Sequence, residues 1–297
     1  MKIFDCFMFF DEEMLLDLRL NILDKYVDKF VITEATYMHS GKSKKLVFDI
    51  KKFKKFQDKI IYKVIDSQPT NLETISEKDN EEIKGRKLIN NSVKRENYQR
   101  EMANNSLKIA NDEDVILIND IDEIPNLKKV DFNKINEKLI IFKQKTFYYK
   151  FNLRYENLIW HGSKACRKKN FKSPQWLRNV KHRIYPLWRF DILFSEKKYN
   201  SICYINDGGW HFTNIKSPED LEKKFLNFLH HQDFEASGLN LSDIKEKIKN
   251  KKILYDLAID QRNFKWEGSK TLSKVDLKEI PDYISENYEK YSKWLES

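Results

Sequence analysis

Val115-Ile116-Leu117-Ile118-Asn119-Asp120-Ile121-Asp122-Glu123-Ile124-Pro125 is the stretch on which the reading of this chain turns. Four consecutive apolar, mostly β-branched residues run directly into three acids. An uninterrupted apolar run of this length is the pattern of a strand buried on both faces of a parallel sheet. In open α/β sheets ligands bind outside the carboxyl ends of such strands. Asp120 and Asp122 are two residues apart, so in an extended segment both carboxylates would point the same way. Oxygen-only ligands of this kind suit a hard divalent cation that also holds substrate phosphates. The plainer alternative is a polar loop after a core strand, with the acids capping a helix.

Working outward, residues 2–10 read as a first strand and 11–25 as a helix with Asp11 as its N-cap. Residues 29–34 form a second apolar run that ends in Glu34. A loop with His39 and Gly41 follows. Residues 51–63 carry Phe53, Phe56, Ile60 and Ile61 among lysines, the spacing of an amphipathic surface helix. Residues 60–65 read as a third strand, 70–85 as a polar loop and 87–110 as a long helix. This alternation predicts a largely parallel sheet with helices on its faces and right-handed crossovers. After Pro125 the pattern changes to strands with antiparallel character at 138–151 and 153–160. A short strand follows at 201–205, and a helix at 217–232 has Ser217 as N-cap and Pro218 at its first position. The last stretch is Lys/Glu-rich with helical spacing.

The composition is that of a globular protein: 297 residues, 40% hydrophobic and 34% charged. No apolar stretch approaches the roughly 18 residues that span a bilayer. Cys6, Cys166 and Cys203 are too few and too scattered for a disulfide scaffold and suggest a reducing compartment. Lys and Arg number 55 against 46 Asp and Glu, a net charge of +9. A basic surface favours anionic partners such as nucleic acid, an anionic membrane or an anionic sugar.

Several chemistries lack their motifs. There is no glycine-rich dinucleotide fingerprint, no phosphate-binding Gly-Lys-Ser/Thr loop, no His-Glu-x-x-His, no Cys-x-x-Cys and no Gly-x-Ser-x-Gly. Carboxylates at strand ends remain. A nucleotide needs an acceptor for its base or ribose and a cation for its diphosphate; Glu34 and the Asp120–Asp122 pair supply these, unless Glu34 is a surface acid. Arg95 and Arg100 lie on the helix before the acidic strand. Arg100 either pairs with Glu96 one turn away or reaches a phosphate, where arginine bonds bidentately. Asp207-Gly208-Gly209-Trp210-His211-Phe212 is a second dense segment. Its glycines allow positive φ or close backbone approach, Trp210 offers a flat face to a sugar, and His211 is a ligand or proton-transfer group or a structural residue. Trp160 and Arg154, among other aromatics and basics, line an acceptor groove or pack on the core.

The chain resembles glycosyltransferase family 17. The resemblance rests on residues 4–48 (FDCFMFFDEEMLL onward), REnYQR at 95–100, VILINDIDEIPN at 115–126 and GGWHFTN at 208–214, and covers roughly residues 1–235. It implies a GT-A type α/β fold, one nucleotide-binding domain over 1–235 with a mostly parallel mixed sheet flanked by helices; the helical spacing of the last stretch adds a helical C-terminal extension over 236–297 packed on it. It implies inverting transfer of a sugar, GlcNAc from UDP-GlcNAc, to a hydroxyl of a glycan acceptor, with Mn2+ or Mg2+.

By position, the resemblance makes Asp120 and Asp122 the metal pair, with Asp122 the direct ligand and His211 a late metal or diphosphate contact. Glu34 falls on the uridine side, with Arg95, Arg100 and Asp120 toward the donor. Inversion requires a base at the acceptor hydroxyl, for which Asp207 and Glu123 are the candidates; Trp210, Trp160 and Arg154 face the acceptor. The expected partners are a nucleotide-sugar donor and a glycan acceptor, without nucleic acid. No signal peptide or anchor is evident, so the expected location is cytoplasmic, with peripheral membrane contact open to the basic surface. The competing reading is a non-catalytic carbohydrate- or nucleic-acid-binding protein on a transferase-like scaffold.

Overall fold

The Val115–Ile118 run forms a strand, β4, with all four side chains buried. On one side it pairs in parallel with β1 (Ile3–Met8), which pairs in parallel with β2 (Lys29–Ala35), which pairs in parallel with β3 (Ile60–Ile65). On its other side β4 meets β9 (Lys164–Arg167) antiparallel; β9 pairs antiparallel with β6 (Leu139–Phe142), and β6 in parallel with β10 (Ile202–Ile205). These strands make a seven-stranded mixed sheet. The structure is a computed structural model and describes every residue except 187, 193, 228–233, 235–236, 258–265 and 267–269.

A second sheet stands beside the first. Its five strands are β12 (Ser273–Lys274), β8 (Leu153–Trp160), β7 (Gln144–Tyr148), β11 (Gly209–Thr213) and β5 (Glu123–Pro125), in that order. The acidic stretch therefore belongs to both sheets: its apolar half is β4 of the first, and Glu123–Pro125 is the edge strand of the second. This is why β11 comes close to the acids, since His211 lies opposite Glu123 across the β5–β11 pair.

Helix α1 (Glu13–Leu23) buries Leu15, Leu16, Leu18, Leu20 and Leu23 against the first sheet. Each such leucine contributes roughly 1.5–3 kcal/mol of burial. Helix α2 (Glu81–Glu101) starts six residues before the position its apolar spacing suggests, because Asn80 caps it, accepting from the Ile83 amide at 2.9 Å, and Glu81 and Glu82 sit at the positive end of its dipole. It gives way to a 3₁₀ turn over Met102–Ile109. The amphipathic helix expected over 51–63 is a shorter 3₁₀ segment, Ile50–Phe56, which breaks at Phe53 and buries Phe53 and Phe56.

Farther on are α3 (Pro174–Asn179), α4 (Pro218–Asn227), α5 (Leu241–Lys249), α6 (Asp282–Glu286) and α7 (Tyr288–Tyr291). Ser173 caps α3 and Ser217 accepts from the Asp220 amide at 3.2 Å. Residues after 235 supply a strand as well as helices. Ser273 and Lys274 pair with Arg154 and Leu153, and Tyr291 enters the main core, its hydroxyl bonded to Asp17 at 3.1 Å. Among the described residues no helix is long and apolar enough to cross a membrane.

Candidate active site

Residues 119–123 turn instead of continuing extended, and this separates the acids. The Glu123 amide donates to the Asp120 carbonyl at 3.0 Å, closing a tight turn. Arg19, fully buried on α1, holds that turn from beneath. It donates to the Glu123 carbonyl at 2.6 Å and the Asp120 carbonyl at 3.2 Å, while Asp5 on β1 neutralises it at 2.6 and 2.7 Å. The two aspartates expected to converge on one cation therefore point into different surroundings.

Asp120 faces a clamp. Its carboxylate accepts from Arg100 Nη2 at 3.0 Å and from Arg178 Nη2 at 2.6 Å. Burial alone would push this carboxyl up, but Arg178 and Arg100 outweigh it and hold it well below the usual carboxylate range. Glu123 is in the same clamp. Arg178 donates to both its oxygens, at 2.7 and 2.9 Å, and Trp160 Nε1 donates to Oε1. Gly162 makes room for it: a Cβ there would stand 1.9 Å from Glu123 Oε1. Glu123, proposed as a base, is thus 1% exposed and fully engaged. It organises the turn and has no lone pair turned to a substrate.

Asp122 is the acid left open. The one ion pair within 4 Å found for it among the described residues is to His211, whose Nε2 is 3.7 Å from Asp122 Oδ2, and Lys224 feels its charge from farther off. His211 is 4% exposed, its Nδ1 is buried without a hydrogen-bond partner, and its ring stacks on Trp160 at 4.5 Å with 18° between planes.

Two cavities meet at this acid. The larger, about 570 Å³, opens at the carboxyl ends of β1 and β4 and is lined by Phe9, His39, Glu96, Asp122, Lys216 and Lys224 among others. The smaller, about 190 Å³, is lined by Trp160, His211, Asn214, Lys224, Phe225 and Tyr255, together with the acids. Asp120, Asp122 and Lys224 border both. Lys224 donates to Asn214 Oδ1 at 2.9 Å, and its ammonium is pushed down by burial against the pull of Asp122 and Glu12. The larger volume lies within the range of small-molecule sites, 300–1,000 Å³ or so.

The structure relocates other residues read from sequence. Glu34 is not in the cavity. It is wholly buried and accepts from Lys44, from the Val47 and Phe48 amides at 2.8 and 3.1 Å, and from Tyr62 at 2.8 Å, so it ties down the 44–48 segment. Arg95 bonds Gln68 at 2.7 Å and the His39 carbonyl at 3.2 Å, bracing the turn that carries His39 into the cavity. Arg100 serves the clamp, with Glu96 and Gln175 both at 2.8 Å as further partners. Arg154 pairs with Glu279 at 2.8 Å, outside both cavities.

Strand alternation puts Trp210 on the opposite face of β11 from His211. Its Nε1 donates to the Glu279 carbonyl at 2.7 Å, which keeps it out of both cavities, whereas Trp160 lines the smaller one. Asp207, the other base candidate, is exposed at the far end of β11, where it takes a left-handed φ of 46° in the turn and pairs with Lys129 at 3.5 Å. The neighbouring Gly209 does need its glycine: φ is +131° and a Cβ would meet the Ile124 carbonyl at 2.1 Å.

Arg178, Lys216 and Lys224 were not singled out by sequence. Lys224 has a faint signal, sitting on an amphipathic helix just after GGWHFTN. Arg178 has none, since its partners lie 55 and 58 residues away.

The donor set can be tested against a divalent cation. No group of three or more His, Cys, Asp or Glu side chains is gathered for a metal among the described residues. Asp120, with both oxygens on guanidinium groups, does not fit as a ligand. Asp122, with an unshared carboxylate beside an imidazole, does fit a cation of the kind held by one or two carboxylates and completed by substrate phosphates.

A family model described as Glycosyltransferase family 17 matches residues 1–296. The match runs through the C-terminal residues, beyond the 1–235 stretch that the sequence motifs cover. No curated protein matches the chain.

Proposed function

Because the chain belongs to glycosyltransferase family 17 and so has a glycosyl-transfer role, we propose that it moves GlcNAc from UDP-GlcNAc to a glycan hydroxyl with inversion, at the junction where its two cavities share Asp122. That junction carries the reading. A transferase must bring a nucleotide-sugar and an acceptor to one point from two sides, and a pure binding protein has no need of a second chamber that opens onto the same carboxylate.

In this reading the larger cavity takes the donor. Its lysines, Lys216 and Lys224, face the diphosphate and offset the charge that grows on it as the sugar leaves. A bound Mn2+ or Mg2+ would be held by Asp122 and His211 and would supply Lewis-acid stabilisation to the leaving diphosphate. Trp160 presents a rigid apolar face in the smaller cavity, suited to a sugar ring on the acceptor side. The clamp of Arg100 and Arg178 keeps the 120–123 turn fixed, so that Asp122 is presented at one position without reorganisation. Neither Glu123 nor Asp207 is retained as the base.

The test is a thermal-shift and turnover screen of UDP, GDP and CMP sugars with and without Mn2+. The expected result is a melting shift with UDP-GlcNAc that grows with the cation. A shift with GDP or CMP sugars instead would replace the donor, and absence of a shift with every donor, together with salt-sensitive nucleic-acid binding, would favour a binding protein.

A further inference from the structure

The loop between α3 and β10 carries an unusual concentration of exposed apolar side chains. Ile184 is 81% exposed, Trp188 71%, Phe190 73% and Phe194 89%; no other large apolar residue among those described exceeds 62%. Singly exposed apolar residues are ordinary, but four on one loop within residues 184–194 concentrate apolar surface in the way that marks a contact region.

The loop is built to hold this patch out. The Lys181 amide donates to the Lys197 carbonyl at 2.7 Å and closes the base. On one side of the base His182 stacks on His161 at 4.4 Å with 10° between planes. On the other, Trp176 Nε1 donates to the Glu196 carbonyl at 2.8 Å and to the Tyr199 hydroxyl at 3.1 Å. The exposed residues therefore project from an anchored stem that stands next to Trp160 and the smaller cavity.

The charge around the patch identifies its partner. Residues 181–198 contain Lys181, Arg183, Arg189, Lys197 and Lys198 against Asp191 and Glu196. Asp191 is taken up by Arg189 and Lys198, both at 2.6 Å. Lys181, Arg183 and Lys197 form no ion pair among the described residues, so the stem is net positive. Aromatic tips over a basic stem are the chemistry of a bilayer interface: Trp and Phe enter at headgroup depth while Lys and Arg meet anionic headgroups.

We infer that the described residues of the 181–198 loop dock the protein on an anionic lipid surface, with Ile184, Trp188, Phe190 and Phe194 as the inserted tip and Lys181, Arg183 and Lys197 as the headgroup contacts. The contact is peripheral. It would bring the acceptor side of the site close to the bilayer, and it holds whichever sugar the site transfers.

Flotation of the full chain with vesicles of phosphatidylcholine, with and without phosphatidylglycerol, tests it. The expected result is flotation with phosphatidylglycerol vesicles that weakens with salt, and partitioning reduced about tenfold or more by Phe190→Asp/Phe194→Asp. Lys181→Glu/Arg183→Glu should weaken it comparably and leave the thermal transition in place, which separates lost docking from lost folding. Failure of the parent chain to float at low salt overturns the inference, as does undiminished binding by the aromatic double variant. A concentration-dependent dimer that Phe194→Asp dissolves, without vesicle binding, would assign the patch to a second copy of the chain.

Discussion

Asp120 and Asp122 are separated by one residue and do opposite work. Asp120 and its neighbour Glu123 are bonded by Arg100 and Arg178, while Asp122, which borders the same two cavities as Asp120, has no guanidinium partner among the described residues and lies near His211 and Lys224. The difference comes from one backbone event, the turn closed by the Glu123 amide and held by Arg19. An extended segment would have aimed both aspartates at one ion. The turn lets a single acidic cluster supply both a rigid support and an open site.

The sharpest way to break this comparison is to remove the clamp. Arg178→Ala leaves Asp120 with one partner and Glu123 with none of its guanidinium bonds in a buried setting. Loss of one member of a buried ion pair costs about 3–5 kcal/mol. Urea unfolding should show a loss of that size, with Asp122 intact in sequence and its presentation gone. If Arg178→Ala keeps full stability, the clamp does not support the turn.

Asp122→Asn tests the open side. It removes a charge with few protein partners, so unfolding should be nearly unchanged. Turnover should fall by about 10²–10³, the scale of losing one group that stabilises developing charge. Asp120→Asn should show the converse balance, with a clear stability loss. A variant at Asp122 with parental turnover would remove the centre of the proposed site.

The two tryptophans extend the same contrast to the smaller cavity. Trp160 stacks on His211 in the smaller cavity, whereas Trp210 is pinned to the Glu279 carbonyl on the other face of β11. Trp160→Phe should raise the acceptor KM by roughly fivefold, about 1 kcal/mol of ring contact, besides costing stability for its lost bond to Glu123. Trp210→Phe should cost about 1 kcal/mol of stability for its lost hydrogen bond and leave KM in place. Equal kinetic effects from the two would return Trp210 to the acceptor side.

What the sequence makes legible here follows the range of the interactions. The β1–α1–β2 and β3–α2–β4 alternation is written in contiguous runs, because a strand buried on both faces must be apolar along its length. The acids at the end of β4 are legible for the same reason. The split between Asp120 and Asp122 is not, because Arg19, Arg100 and Arg178 reach the turn from three helices and none has a local signature. Glu34 illustrates the opposite error. Its place at a strand end suggests a ligand contact, but Lys44, Tyr62 and two amides consume its lone pairs. Trp210 and His211 differ only by strand parity, which fixes which one faces the cavity once the β5–β11 pairing is known.

The smallest effect lies at the edge of the site, where His161 stacks on His182. Burial pushes His161 down to about 4, with His182 and Lys143 adding to the shift. A base with a folded pKa below its unfolded value of 6.5 binds fewer protons when folded across that interval. Stability is therefore complete above that upper value and declines as pH falls toward the lower one. The ring is partly exposed, so screening reduces the effect to on the order of 1 kcal/mol. His161→Gln should flatten this acid limb in pH-dependent urea unfolding while leaving the clamp of Arg178 untouched. A limb of unchanged depth would mean that the acid sensitivity belongs to the carboxylates at the turn, which lose their ion pairs only at lower pH, and that the two regions are less separable than their geometry implies.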